Sequence, residues 1–79
     1  MADITPITDV NELNLSLYRL TQRDTAAAKK AIAFVGGDRL KHELFIDGYA
    51  LAANEPVVAR TDKAIQIATE ALALFNTGA

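Results

Sequence analysis

The sequence predicts an all-α protein, a compact bundle of about four short helices, and three observations carry that prediction. Val10, Leu13, Leu17 and Leu20 recur at alternating three- and four-residue steps, the period of one helix face. Residues 61–76 divide on a helical wheel into an apolar half (Ala64, Ile65, Ile67, Ala68, Ala71, Leu72, Leu74, Phe75) and a polar half interrupted by Ala73 alone. Between these segments, Gly36-Gly37 and Asn54-Glu55-Pro56 supply the breaks a bundle needs. The 79 residues leave room for one domain, read as an extended N-terminal arm over 1–8 and a single helical domain over 9–79.

Pro6 and the short polar residues around it suggest the arm. Asp9 and Glu12 have the spacing of a capping box, which starts a first helix at Asp9. If that helix ran straight on, Asp24 would join its apolar face, and burying an unpaired carboxylate is costly. A break at Arg23-Asp24 avoids the cost and lets Asp24 or Thr25 cap a second helix, Ala26 to Val35, ended by Gly36-Gly37. Asp38 is placed to cap a third helix with Leu40, Leu44 and Leu51 on its inner stripe. Asp47-Gly48 between apolar quartets is also a β-hairpin signal, so a hairpin at 43–52 is the alternative. Few β-branched residues flank it, which favours the helix. The last helix, about 61–76, has an apolar arc wider than one core contact needs, so it should meet two neighbours, for one of which another chain is a candidate. Gly78 stands at its C-cap position. Leu13, Leu17, Leu20, Leu40, Leu44, Ile65, Leu72 and Phe75 are the expected core.

Composition excludes several classes. The chain has no Cys and one His, which removes disulfides, thiolate metal sites and a Cys nucleophile and leaves no ligand set for zinc. No cofactor or metal is expected. The start Met1-Ala2-Asp3 lacks the basic region of a secretory signal, and uninterrupted apolar runs reach five residues, as in Ala31–Val35, against about 20 for a membrane span. A bacterial or phage cytoplasmic protein is the expectation, without membrane contact. A chain this short buries only roughly 60–65% of its unfolded surface, and with disulfides and metals excluded, association is the remaining aid to stability. A homo-oligomer, a homodimer in its simplest form, is therefore expected.

Charge is unevenly spread. Arg19, Arg23, Lys29, Lys30, Arg39 and Lys41 face only Asp24 and Asp38, a local +4, whereas residues 1–18 and 42–79 each carry −3. A positive belt between negative ends suits phosphates or an acidic partner, and Arg19, Arg23, Lys29 and Lys30 are the candidate contacts, with Tyr18 and Gln22 nearby. The sequence pI of about 5.1 makes a poor stand-alone DNA binder, so DNA is expected only as part of a larger complex. Leu15 and Tyr18 fall outside the first apolar stripe. With Ile67 and Leu74 from the wide last helix, they are the candidate protein interface.

No catalytic constellation appears. His42 follows Asp38 by four residues, near enough on a helix for a carboxylate to orient it, but no sequence signal places Ser16 or a threonine beside it. Gly36-Gly37 fits neither phosphate-loop pattern and reads as a helix end. Glu43 and Asp47 share one helix face, as exposed like charges do.

The run Leu13-Asn14-Leu15-Ser16-Leu17-Tyr18-Arg19-Leu20-Thr21-Gln22-Arg23, followed by Asp24, the alanines at 26–28 and Val35-Gly36, resembles the opening of FlhD, the bacterial flagellar transcriptional activator subunit. The resemblance covers residues 13–37. It implies an all-helical, dimerising regulatory subunit whose partner supplies much of the DNA contact. The leading expectation is thus a non-enzymatic helical interaction module, a bacterial or phage transcription-regulatory subunit that oligomerises and assists a partner's DNA binding. The alternative is a small adaptor or chaperone-like protein that grips a protein partner through an apolar helix face and touches no nucleic acid.

Overall fold

The computed structural model describes residues 5–76, with side chains from Val10 to Phe75. Four helices account for nearly all of them: α1 (Thr5–Leu20), α2 (Thr25–Val35), α3 (Arg39–Leu51) and α4 (Val57–Asn76). The all-α expectation holds, and α3 runs unbroken through Asp47-Gly48, so the hairpin alternative is excluded. The expected arm at 1–8 is corrected in part. Residues 5–8 are already helical and Asp9 lies inside α1, not at its cap. Pro6 falls in the first helical turn, where its missing N–H leaves no bond unmade. Residues 1–4 and the expected cap at Gly78 lie outside the described residues.

The first break falls where the sequence places it. After Leu20 the chain reverses through Gln22 (φ 60°) and Arg23 (φ 63°), two consecutive non-glycine residues in the left-handed region. Buried Thr21 secures the turn by donating its hydroxyl to the Leu17 carbonyl at 2.8 Å. Asp24 then caps α2, its carboxylate accepting from the Ala27 amide at 3.0 Å. Gly36 ends α2 at φ 54°, and Asp38 caps α3 by accepting from the amides of Leu40 and Lys41.

Packing departs from the expected core in α3 and α4. The inner side of α3 is His42, Phe45, Gly48 and Tyr49, whereas Leu40 and Leu51 are exposed and Leu44 is half-buried. The reason is Gly48. A Cβ there would stand 2.8 Å from the Ala64 carbonyl oxygen and 3.2 Å from both Ala64 Cα and Ile67 Cβ, so α4 crosses α3 against bare backbone. That contact sets the rotation of α3, sends Phe45 and Tyr49 into the core with ring centroids 5.7 Å apart, and turns the leucine stripe outward. On α4 the deepest residues are Thr61, Ala64 and Ala68, small enough for the close crossing. Ile65 and Leu72 are half-buried, and Phe75, expected in the core, is 59% exposed. The wide arc of α4 does serve two neighbours, α3 first and α2 second, both from its own chain. Leu13 and Leu17 are buried as expected, and Leu20 packs partly against the core cluster of Leu17, Ala31, Val35, Phe45, Tyr49 and Ala64. The molecule is flat, 43 × 36 × 16 Å between Cα atoms, about the thickness of two helix layers.

Gly48→Ala is expected to lower stability by up to about 2 kcal/mol in urea unfolding, because overpacking of about 1–3 kcal/mol against the Ala64 backbone is offset in part by alanine's helix preference of about 1 kcal/mol. Unchanged or raised stability would show that α3 and α4 do not need the close approach.

Candidate interaction surfaces

Two bases of the positive belt meet partners within the chain. Lys30 Nζ lies 2.9 Å from Asp62 Oδ1, an exposed ion pair between α2 and α4. Such pairs contribute about 0–1 kcal/mol, but the lysine's charge is answered there. Lys41 Nζ sits 5.8 Å from the centre of the Phe34 ring. Arg19, Arg23 and Lys29 remain exposed and pair with no carboxylate among the described residues. Arg19 lies in the last turn of α1 and Arg23 occupies the left-handed turn beside exposed Gln22, with Tyr18 (40% exposed) one position before Arg19.

The four expected interface residues divide between two helices. Leu15 and Tyr18 lie on α1, where Leu15 points about 160° around the helix from buried Leu17, away from the core. Ile67 and Leu74 lie on α4, which packs chiefly against α3 and α2. Ile67 is half-buried over Gly48, so part of it belongs to the seam within the chain; Leu74 is 73% exposed. The sequence reading misses their companions. Leu40, Leu44 and Leu51 lie roughly 130–175° around α3 from the direction of its buried aromatic side, on the same flank of the α3–α4 hairpin as Ile67. The signal was present as a leucine stripe, but its orientation depended on Gly48.

Arg60 is a residue the sequence reading does not single out. Its Nε donates to the Tyr49 carbonyl at 2.9 Å, and its guanidinium carbon stands 4.0 Å from the centre of the Tyr49 ring. The cation meets one of the last carbonyls of α3, which have no partner within the helix, and stacks on an aromatic face at the same time.

His42 is buried at the contact of α3 with α1, its Nε2 3.3 Å from Ser16 Oγ. The structure thus brings together a serine and a histidine that the sequence does not connect. Asp38 does not orient the ring, because its carboxylate is spent on the α3 cap, and Nδ1 has no hydrogen-bond partner among the described residues. Asn14 Oδ1 and the Tyr49 hydroxyl are likewise buried without partners. Burial lowers the His42 pKa from its ordinary 6.5; Glu43 opposes the shift and Arg39 adds to it. The described residues enclose no pocket, and no group of three or more His, Cys, Asp or Glu among them could hold a metal ion. None of the described helices is long and apolar enough to cross a membrane.

A small helical chain with two outward apolar flanks, one on α1 and one on the α3–α4 hairpin, is the class these features define. The chain belongs to the family described as "Protein of unknown function (DUF2560)", which matches residues 5–75. It is 42% identical over 80 residues to the "Uncharacterized 9.0 kDa protein in gp15-gp3 intergenic region" of Salmonella phage P22, with 100% of both chains covered. No solved structure matches.

The buried imidazole gives the fold a defined pH dependence. Its folded pKa lies below the unfolded value, so the His42 contribution is complete above about pH 6.5 and is lost as the pH falls from there to the folded pKa, the unfolded chain binding the proton first. The urea midpoint is expected to fall between about pH 7.5 and pH 5.5, and His42→Gln should flatten that fall while sharing the carboxylate background. An identical slope in the variant would show that the histidine does not carry the dependence.

Proposed function

We propose that the protein is a non-enzymatic helical interaction module: a cytoplasmic, phage-encoded subunit that oligomerises and joins a protein partner in transcription control. The observation that carries the reading is the outward leucine flank of the α3–α4 hairpin, with Leu51 75% and Leu40 38% exposed beside half-buried Leu44. Contiguous apolar surface on a chain this small is held against water at a cost that a binding partner removes. Arg19, Arg23 and Lys29 supply the nucleic-acid side of the reading, since they are exposed and pair with no carboxylate among the described residues. The resemblance of residues 13–37 to FlhD supports a regulatory subunit whose partner makes most of the DNA contacts. The likeness to a phage P22 protein over its full length supports a phage origin.

One observation favours the adaptor reading. The Lys30–Asp62 ion pair withdraws one of the four candidate phosphate contacts.

Affinity capture of the full chain from phage-infected cells, washed over a salt series, separates the two. A regulatory subunit retains DNA with its partner at low salt, and Arg19→Ala/Arg23→Ala lowers the salt slope of retention by about 1.8, the loss of two phosphate contacts. A partner recovered without DNA at low salt, or a slope that the double variant leaves unmoved, favours the adaptor.

A further inference from the structure

The two outward apolar flanks differ in their charged borders. On α1, Leu15 and Tyr18 are bordered by exposed Arg19 and Arg23, with Glu12 one turn before Leu15. On the hairpin, Leu40, Leu44, Leu51 and Ile67 are bordered by exposed Glu43, Asp47 and Glu70, with exposed Lys63 and half-buried Arg60 as the bases nearby. The first border is net positive and the second net negative, so each flank offers what the other lacks. Pairing two hairpin flanks instead would set Glu43 and Asp47 of one copy against the acids of the other, and opposed like charges are unfavourable.

Resting on the interaction-module reading above, we propose that copies of this chain join head to tail, the Leu15–Tyr18 side of α1 in one copy seating on the leucine flank of α3–α4 in the next. The contact is heterologous: each copy uses two different surfaces in a head-to-tail series, so assembly continues past two and ends only in a ring of three or more. The hairpin flank runs about 16 Å from Leu40 to Leu51 and about two helix diameters, roughly 20 Å, across. That is small beside specific interfaces of roughly 1,200 Å² or more in total, so the association is concentration-dependent and weakens with salt.

Sedimentation of the purified full chain over a concentration series tests this, with Leu15→Gln and Leu51→Gln as single-surface variants. Both positions are exposed, and helical circular dichroism checks that each variant folds. Wild type is expected to form species larger than a dimer as concentration rises, at midpoints that move upward with salt. Each variant alone should associate at least about tenfold more weakly. Their equimolar mixture should regain wild-type affinity but stop at a one-to-one pair, because one intact surface from each variant remains. A wild-type chain that stays monomeric to about 1 mM, or stops at a dimer, overturns the proposal. So does a Leu15→Gln variant that associates like wild type, the result a symmetric hairpin-to-hairpin dimer would give. DNA plays no part in this experiment, so its failure leaves the regulatory reading to be judged by capture, and failure of capture leaves head-to-tail assembly standing.

Discussion

The meeting of α3 with α4 at Gly48 is the constraint from which the rest of the packing follows. With no side chain at Gly48, the backbone of Ala64 comes within distances no Cβ would tolerate. Interiors are packed as densely as organic crystals, so a contact this close leaves one rotation open to each helix. That rotation sends Phe45 and Tyr49 inward to fill the space over Leu17, Ala31 and Val35. It makes Thr61, Ala64 and Ala68 the depth of α4, although larger residues are available on the same helix. It also decides which side of α3 meets water. Arg60 reinforces the arrangement from the loop end, tying the first turn of α4 to a carbonyl in the last turn of α3.

Much of the architecture was legible because it rests on local chemistry. Asp24, Gly36 and Asp38 are caps whose geometry involves three or four residues, and each acts as its spacing implies. The break after α1 followed from one misplaced carboxylate. Helix faces were less legible where two periodic stripes share an element. In α3 the leucines at 40, 44 and 51 make as good a stripe as His42, Phe45 and Tyr49, and hydrophobicity alone favours the leucines. What selects the aromatic side is a glycine whose role lies in another helix. The same glycine, read locally beside Asp47, suggested a turn.

The candidate surfaces were legible in kind and not in arrangement. Leu15, Tyr18 and Leu74 are exposed, as residues outside a core should be, but α1 and α4 carry them as parts of separate flanks. The belt of bases was a count along the chain, and folding distributes it: Lys30 goes to Asp62, Lys41 to Phe34, and the turn keeps Arg19 and Arg23 together. The Ser16–His42 contact had no sequence signal, since 26 residues separate the two. It is a polar contact in an apolar setting, left with unpartnered atoms around it.

The Arg60 link also bears on how the polypeptide finds its shape. Only five residues separate α3 from α4, so the ends to be joined are never far apart and loop closure costs little entropy. Contacts of short sequence separation form early, and the second half of the molecule holds the most extensive of them. The C-terminal hairpin is therefore the pair whose closure the local contacts favour most. On a nascent chain emerging N-terminus first, α1 meets its principal neighbour, α2, before the α3–α4 hairpin is complete.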